Sequence, residues 1–202
     1  MRAVRILVVQ GSLGSPSRTA ALAGLATETL TEWGHDTEVF DLRHHDLPWT
    51  EPAPRDGVLS GAGASARQLV RAAGEADAFV WASPVYHNSF SGVLKCALDH
   101  LSRTEVGDKP VALCGDGGRR GSEQPLEHLR TVARSLHAVA TPSVVTTRTE
   151  DFALRDGRYA VSNPEIVTRT RQLCHQLVAF ADLLRRGHGT AAAAVEFLEE
   201  VL

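Results

Sequence analysis

Along this chain, apolar runs alternate with stretches in which apolar residues return every three or four positions. Residues 3–9 form one continuous β-rich run, the pattern of a strand covered on both faces. Residues 17–33 place Leu22, Leu25, Ala26, Thr29, Leu30 and Trp33 at helical spacing, and Gly34 offers a stop. The same reading predicts strands over 36–42, 78–86, 110–115 and 142–147. It predicts helices over 92–102, 123–138 and 164–186, the last with Pro164 in its first turn.

Strand, helix, strand in repetition predicts parallel pairing with helices on both faces. The expected fold is α/β: a flavodoxin-like, doubly wound, five-stranded parallel sheet in a three-layer α/β/α sandwich. A ligand would bind where the strand order reverses. Residues 1–187 read as one domain. Residues 188–202 read as a C-terminal tail whose last twelve positions would form a short amphipathic helix, after Gly187 and Gly189. Residues 43–64, with Pro48, Pro52, Pro54, Gly57, Gly61 and Gly63, read as an irregular excursion of functional length.

Composition narrows the classes. The 202-residue chain has a net charge of −3 and no run of like charge, which argues against a nucleic-acid binder. No run approaches the ~20 apolar residues that span a bilayer. The N-terminal apolar stretch is too short for a signal peptide and lacks a cleavage pattern. Cys96, Cys114 and Cys174 are far apart and form no C-x-x-C pair, so reduced core thiols in a cytoplasmic protein are expected. His44 and His45 are adjacent, point apart in most conformations and have no ligand cluster at metal spacing; no metal is expected. No G-x-S-x-G elbow supports a serine hydrolase.

The chemistry gathers in three loops at strand ends. The first, "GSLGSPSRT" over 11–19, lies between a strand and a helix, where unpaired N–H groups and a partial positive charge suit an anion. It matches neither a P-loop nor a three-glycine dinucleotide loop. Hydroxyls on Ser12, Ser15, Ser17 and Thr19, with the Arg18 guanidinium, suit a terminal phosphate with three free oxygens, as in FMN. A rival reading makes Asp41, at the end of the second strand, the ribose acid of a Rossmann enzyme. The second loop, "SPVYHNSFSG" over 83–92, offers backbone amides and aromatic edges to a planar ring. The third, "CGDGGRRG" over 114–121, lets backbone approach a flat ligand and adds Arg119 and Arg120, which suit the 2′-phosphate of NADPH.

Together "GSLGSPSRT", "SPVYHNSFSGVLKCALDHL" and "DKPVALCGDGGRRG" resemble the NADPH-dependent FMN reductase family, over roughly residues 3–180. The resemblance implies FMN at the switch point and hydride transfer from NADPH or NADH to a flavin, quinone, azo compound or similar acceptor. It implies a homodimer or homotetramer and admits a flavin-dependent monooxygenase as partner. By position, Ser12, Ser17, Arg18 and Thr19 would hold the phosphate. Pro84, Val85, Tyr86, His87, Asn88 and Ser89 would line the ribityl chain and ring. Gly115, Asp116, Gly117 and Gly118 would meet the pyrimidine end. Asp116 stands where a small uncharged residue is expected. No side chain would be catalytic, because the flavin carries the hydride chemistry. The competing class is a flavin-binding electron-transfer or regulatory module with no NAD(P)H site of its own.

Overall fold

The structure, a computed structural model, describes residues 2–50, 63–119, 121 and 123–201, from 188 onward by backbone alone. In chain order its elements are β1 (Arg5–Gln10), α1 (Arg18–Glu32), β2 (Asp36–Asp41), α2 (Ala64–Glu75), β3 (Ala78–Tyr86) and β4 (Ser89–Phe90). Then come α3 (Gly92–Asp99), α4 (Arg103–Val106), β5 (Pro110–Asp116), α5 (Gln124–Ser135), β6 (Val139–Thr147), β7 (Phe152–Arg155), β8 (Arg158–Val161) and α6 (Pro164–Val201). The expected strands and helices are all present.

The main sheet runs β2-β1-β3-β5-β6, every neighbour on that path parallel. This is the flavodoxin-like order, and its reversal lies between β1 and β3. The Rossmann reading of Asp41 falls with that order. Its carboxylate is instead taken by Arg43, whose side-chain and backbone N–H groups both donate to it. Burial pushes that carboxyl up, but the bonds from Arg43 outweigh it and hold it below the usual carboxylate range.

Alternation along each strand divides the core into two faces. Ile6, Val8, Val80, Ala82, Ala112 and Cys114 pack against α1 and α6, with Leu22, Ala26, Leu30, Leu173 and Leu177. Leu7, Val9, Phe79, Trp81, Val111 and Leu113 pack against α2, α3, α4 and α5, with Leu69, Leu94, Leu98, Val106 and Leu129. Trp81, Phe79, Ile6 and Leu7 are essentially inaccessible. Each such side chain contributes about 1.5–3 kcal/mol by leaving water. Cys114 and Cys174 lie in the α1/α6 face, and burial pushes both thiols up to about 12, so they stay protonated and unreactive.

Four features were not anticipated. α2 begins inside the span read as an irregular excursion, of which residues 51–62 lie outside the described residues. A short antiparallel strand, β4, folds back on β3, and a separate hairpin, β7–β8, follows β6. α6 runs as one element through Gly187 and Gly189, across the span read as a distinct tail. Among the described residues, no helix is long and apolar enough to cross a membrane.

Candidate functional site

The β1 and β3 ends are stitched into one floor. Gly11 N–H donates to the Ala82 carbonyl at 2.8 Å, and Ser91 Oγ donates to the Gly11 carbonyl at 2.6 Å. Ser91 Oγ also accepts from Leu94 N–H and so caps α3. Its own N–H donates to Ser83 Oγ at 2.9 Å. A Cβ on Gly11 would stand 2.8 Å from Leu94 Cβ and 3.0 Å from the Ala82 carbonyl oxygen, so only glycine fits here.

Above this floor lies a pocket of about 240 Å³. From the first loop it takes Ser12, Gly14, Pro16, Ser17, Arg18 and Thr19; from the second, Pro84, Val85 and Tyr86; from the third, Asp116, Gly117 and Gly118. Ten of the expected site residues therefore meet in one crevice at the strand reversal. Ser17 is the N-cap of α1: its Oγ accepts from Ala20 N–H at 3.1 Å and donates to Ser12 Oγ at 2.9 Å. Ser12 Oγ also accepts from Gly14 N–H at 3.3 Å. These hydroxyls shape the loop around the positive end of the α1 dipole.

Arg18 crosses the pocket to the third loop. Its Nε donates to Asp116 Oδ2 at 2.9 Å, and its guanidinium lies 5.5 Å from the centroid of the Tyr159 ring. The other carboxylate oxygen of Asp116 accepts from Gly118 N–H at 3.2 Å. Thr147 Oγ1 stands 3.5 Å from that same oxygen. The carboxylate is thus fixed from several sides and only 8% exposed.

The remaining expected residues lie outside the pocket lining. His87 and Asn88, at φ 50° and 60°, are the two central residues of the turn that joins β3 to β4. Two left-handed residues in succession describe a type I′ hairpin turn. Ser89 Oγ pairs with His128 Nδ1 at 3.2 Å. Gly115 is buried within β5 opposite Ser83, and a Cβ there would press on Leu126 Cδ2 at 3.2 Å. Arg119 is exposed, and Arg120 lies outside the described residues. Outside this site His44 and His45 diverge: His44 Nε2 is 4.0 Å from Asp41, while His45 stacks on Phe40 at 3.8 Å.

Tyr159, on β8, was not foreseen. It closes the pocket beside Arg18 and packs edge-on against Phe152. A signal for it exists in "FALRDGRYAV", where Asp-Gly separates two alternating segments.

Residues 4–151 match the model of the family described as NADPH-dependent FMN reductase. An FMN-dependent NADPH-azoreductase of Staphylococcus saprophyticus is 37% identical over 175 residues, covering 86% of this chain and 93% of its own. Its counterpart from Staphylococcus aureus is 35% identical over 177 residues, with coverages of 87% and 94%. Among solved structures, FerB, an NAD(P)H:(acceptor) oxidoreductase from Paracoccus denitrificans, superposes with a TM-score of 0.70. The two are 22% identical, with 91% of this chain and 98% of FerB covered. At that identity the likeness concerns the fold.

Proposed function

The chain belongs to the NADPH-dependent FMN reductase family, and from that premise we propose that the pocket at the β1–β3 reversal holds FMN. The protein is an FMN-dependent NAD(P)H oxidoreductase. One observation carries the assignment of the site: three loops from separate strand ends line a single crevice. The first loop brings hydroxyls, a helix N-terminus and Arg18, the second an exposed tyrosine, and the third glycine backbone.

The donor set fits the group. A phosphate monoester needs several donors, and the Ser12–Ser17 loop with the first turn of α1 supplies them from hydroxyls and backbone N–H groups. Arg18 adds positive charge and keeps donors beyond the one given to Asp116. Gly117 and Gly118 carry no side chain that would fend off a flat ring. Tyr86, 54% exposed, offers a face or edge beside that ring. His87, Asn88 and Ser89 form a rigid hairpin that would bound it. When bound, FMN supplies the hydride chemistry between a nicotinamide donor and the acceptor. The residues of this chain bind, orient and shield; none of them has to move a proton for hydride transfer.

NADPH is the proposed donor, and exposed Arg119 is the group proposed for its 2′-phosphate, because a guanidinium matches phosphate geometry. The azoreductase relatives favour an azo compound as acceptor, with free flavin or a quinone as competing substrates. Exposed Leu13, Trp49 and Tyr86 give the outer rim of this edge an apolar character. That character supports a homodimer or homotetramer in which a second copy covers the edge.

Protein supplied with FMN is expected to turn yellow and to release FMN on denaturation. Anaerobic addition of NADPH should bleach the flavin absorbance, and an azo dye should restore it. A colourless protein that neither binds FMN nor bleaches it with NADPH would refute this reading.

A further inference from the structure

In the phosphate end of the pocket the positive fork is already engaged. Arg18 Nε is 2.9 Å from Asp116 Oδ2, and the guanidinium lies against Tyr159. The Asp116 carboxylate lines the same pocket and is nearly inaccessible to solvent. It cannot readily turn aside, because its second oxygen is held by Gly118 N–H with Thr147 Oγ1 close by. A phosphate dianion entering beside Ser12 and Ser17 therefore meets a fixed negative charge across the crevice. It must also share Arg18 with that charge.

We propose that Asp116 sets the strength with which this site holds the flavin phosphate: it competes for Arg18 and repels the dianion, so that FMN is held loosely and exchanges. The proposal rests on the FMN reading above and adds one property to it. The flavin behaves as an exchangeable ligand, suited to a protein that hands on reduced flavin as well as electrons. The charge of Asp116 penalises only ligands that carry the phosphate. Riboflavin, which has the ring and the ribityl chain but no phosphate, escapes both the repulsion and the contest for Arg18. Two like charges in a half-buried crevice repel strongly enough for a change of about tenfold in affinity.

The test is equilibrium binding of FMN and of riboflavin to flavin-free protein, read by quenching of flavin fluorescence. Wild type is compared with Asp116→Asn and Asp116→Ser. Asparagine keeps an oxygen for Gly118 N–H, and serine keeps a small polar group, so the two variants perturb the loop differently. Thermal melts establish that each is folded. In the folded variants the dissociation constant for FMN should fall about tenfold, and that for riboflavin should stay within about twofold. The inhibition constant of inorganic phosphate against FMN should fall in both variants as well, because the same carboxylate repels it. If FMN binds no more tightly, or more weakly, in a folded variant, Asp116 is a positioning group that presents Arg18, and the proposal is overturned. Equal tightening of both flavins would also overturn it, by locating the effect at the ring. If wild type quenches neither flavin, the FMN reading itself fails.

Discussion

Gly11 is the residue on which the floor of the site turns. Its backbone lies so close to Leu94, Ala82 and Ser91 that a methyl group has no room: the nearest approaches would be 2.8, 3.0 and 3.1 Å. Two of those neighbours are the backbone of β3 and the first turn of α3, and neither gives way as a flexible side-chain tip would. Gly11→Ala should lower stability by about 1–3 kcal/mol, the usual effect of overpacking, as read from urea denaturation. An unchanged midpoint would mean that β1 and β3 are less tightly joined than their hydrogen bonds indicate. Ser91 is the other half of the junction, since one oxygen serves both the Gly11 carbonyl and the cap of α3.

At the scale of elements, the β7–β8 hairpin supplies the pocket wall through Tyr159. Asp156 and Gly157 form its turn at φ 49° and 73°, a left-handed pair that suits Asp-Gly. Gly157→Ala should cost about 1 kcal/mol for the left-handed backbone, whereas Asp156→Asn should be near neutral, because asparagine tolerates that conformation. Thermal denaturation of the two variants compares them directly, and equal melting temperatures would count against the turn assignment. The main sheet was legible in the sequence because its strands are continuous apolar runs, as in "ILVV" and "AFVWA". The hairpin was harder to see. Its strands are short, Arg155 and Arg158 flank the turn, and only Phe152 is buried in β7. α2 was hidden for another reason. Ala66, Leu69, Ala72 and Ala73 keep helical spacing, but alanines give a weak apolar signal and the preceding segment is rich in proline and glycine. The site was legible as three loops and not as contacts. Nothing in "SRT" or "GDGG" says that Arg18 and Asp116, 98 positions apart, will pair.

Across the whole molecule, the packing of α6 over α1 and the sheet brings titratable groups to the edge opposite the pocket. There His35 Nδ1 accepts from Val4 N–H at 3.3 Å, which requires a neutral ring. Burial pushes its pKa down; Asp182 opposes this and Arg185 adds to it. A histidine whose folded pKa is depressed stabilises the fold above its unfolded value, near 6.5. That contribution is lost as the pH falls through the folded value. Urea denaturation at about pH 8 and about pH 5.5 should therefore show a loss of stability that is smaller in His35→Asn, whose amide oxygen accepts from Val4 without titrating. Identical losses in the two proteins would rule His35 out as the group responsible.

The stitched junction of Gly11, Ser83 and Ser91 has a consequence in time. Its donors and acceptors are satisfied by the protein's own groups, so the floor stands formed before any ligand arrives. Capture then needs no refolding of loops and can proceed at the rate at which molecules find the opening. Residence is decided by the few groups above the floor, so differences among ligands, and among variants of Arg18, Asp116 and Tyr159, should lie in how quickly the ligand leaves.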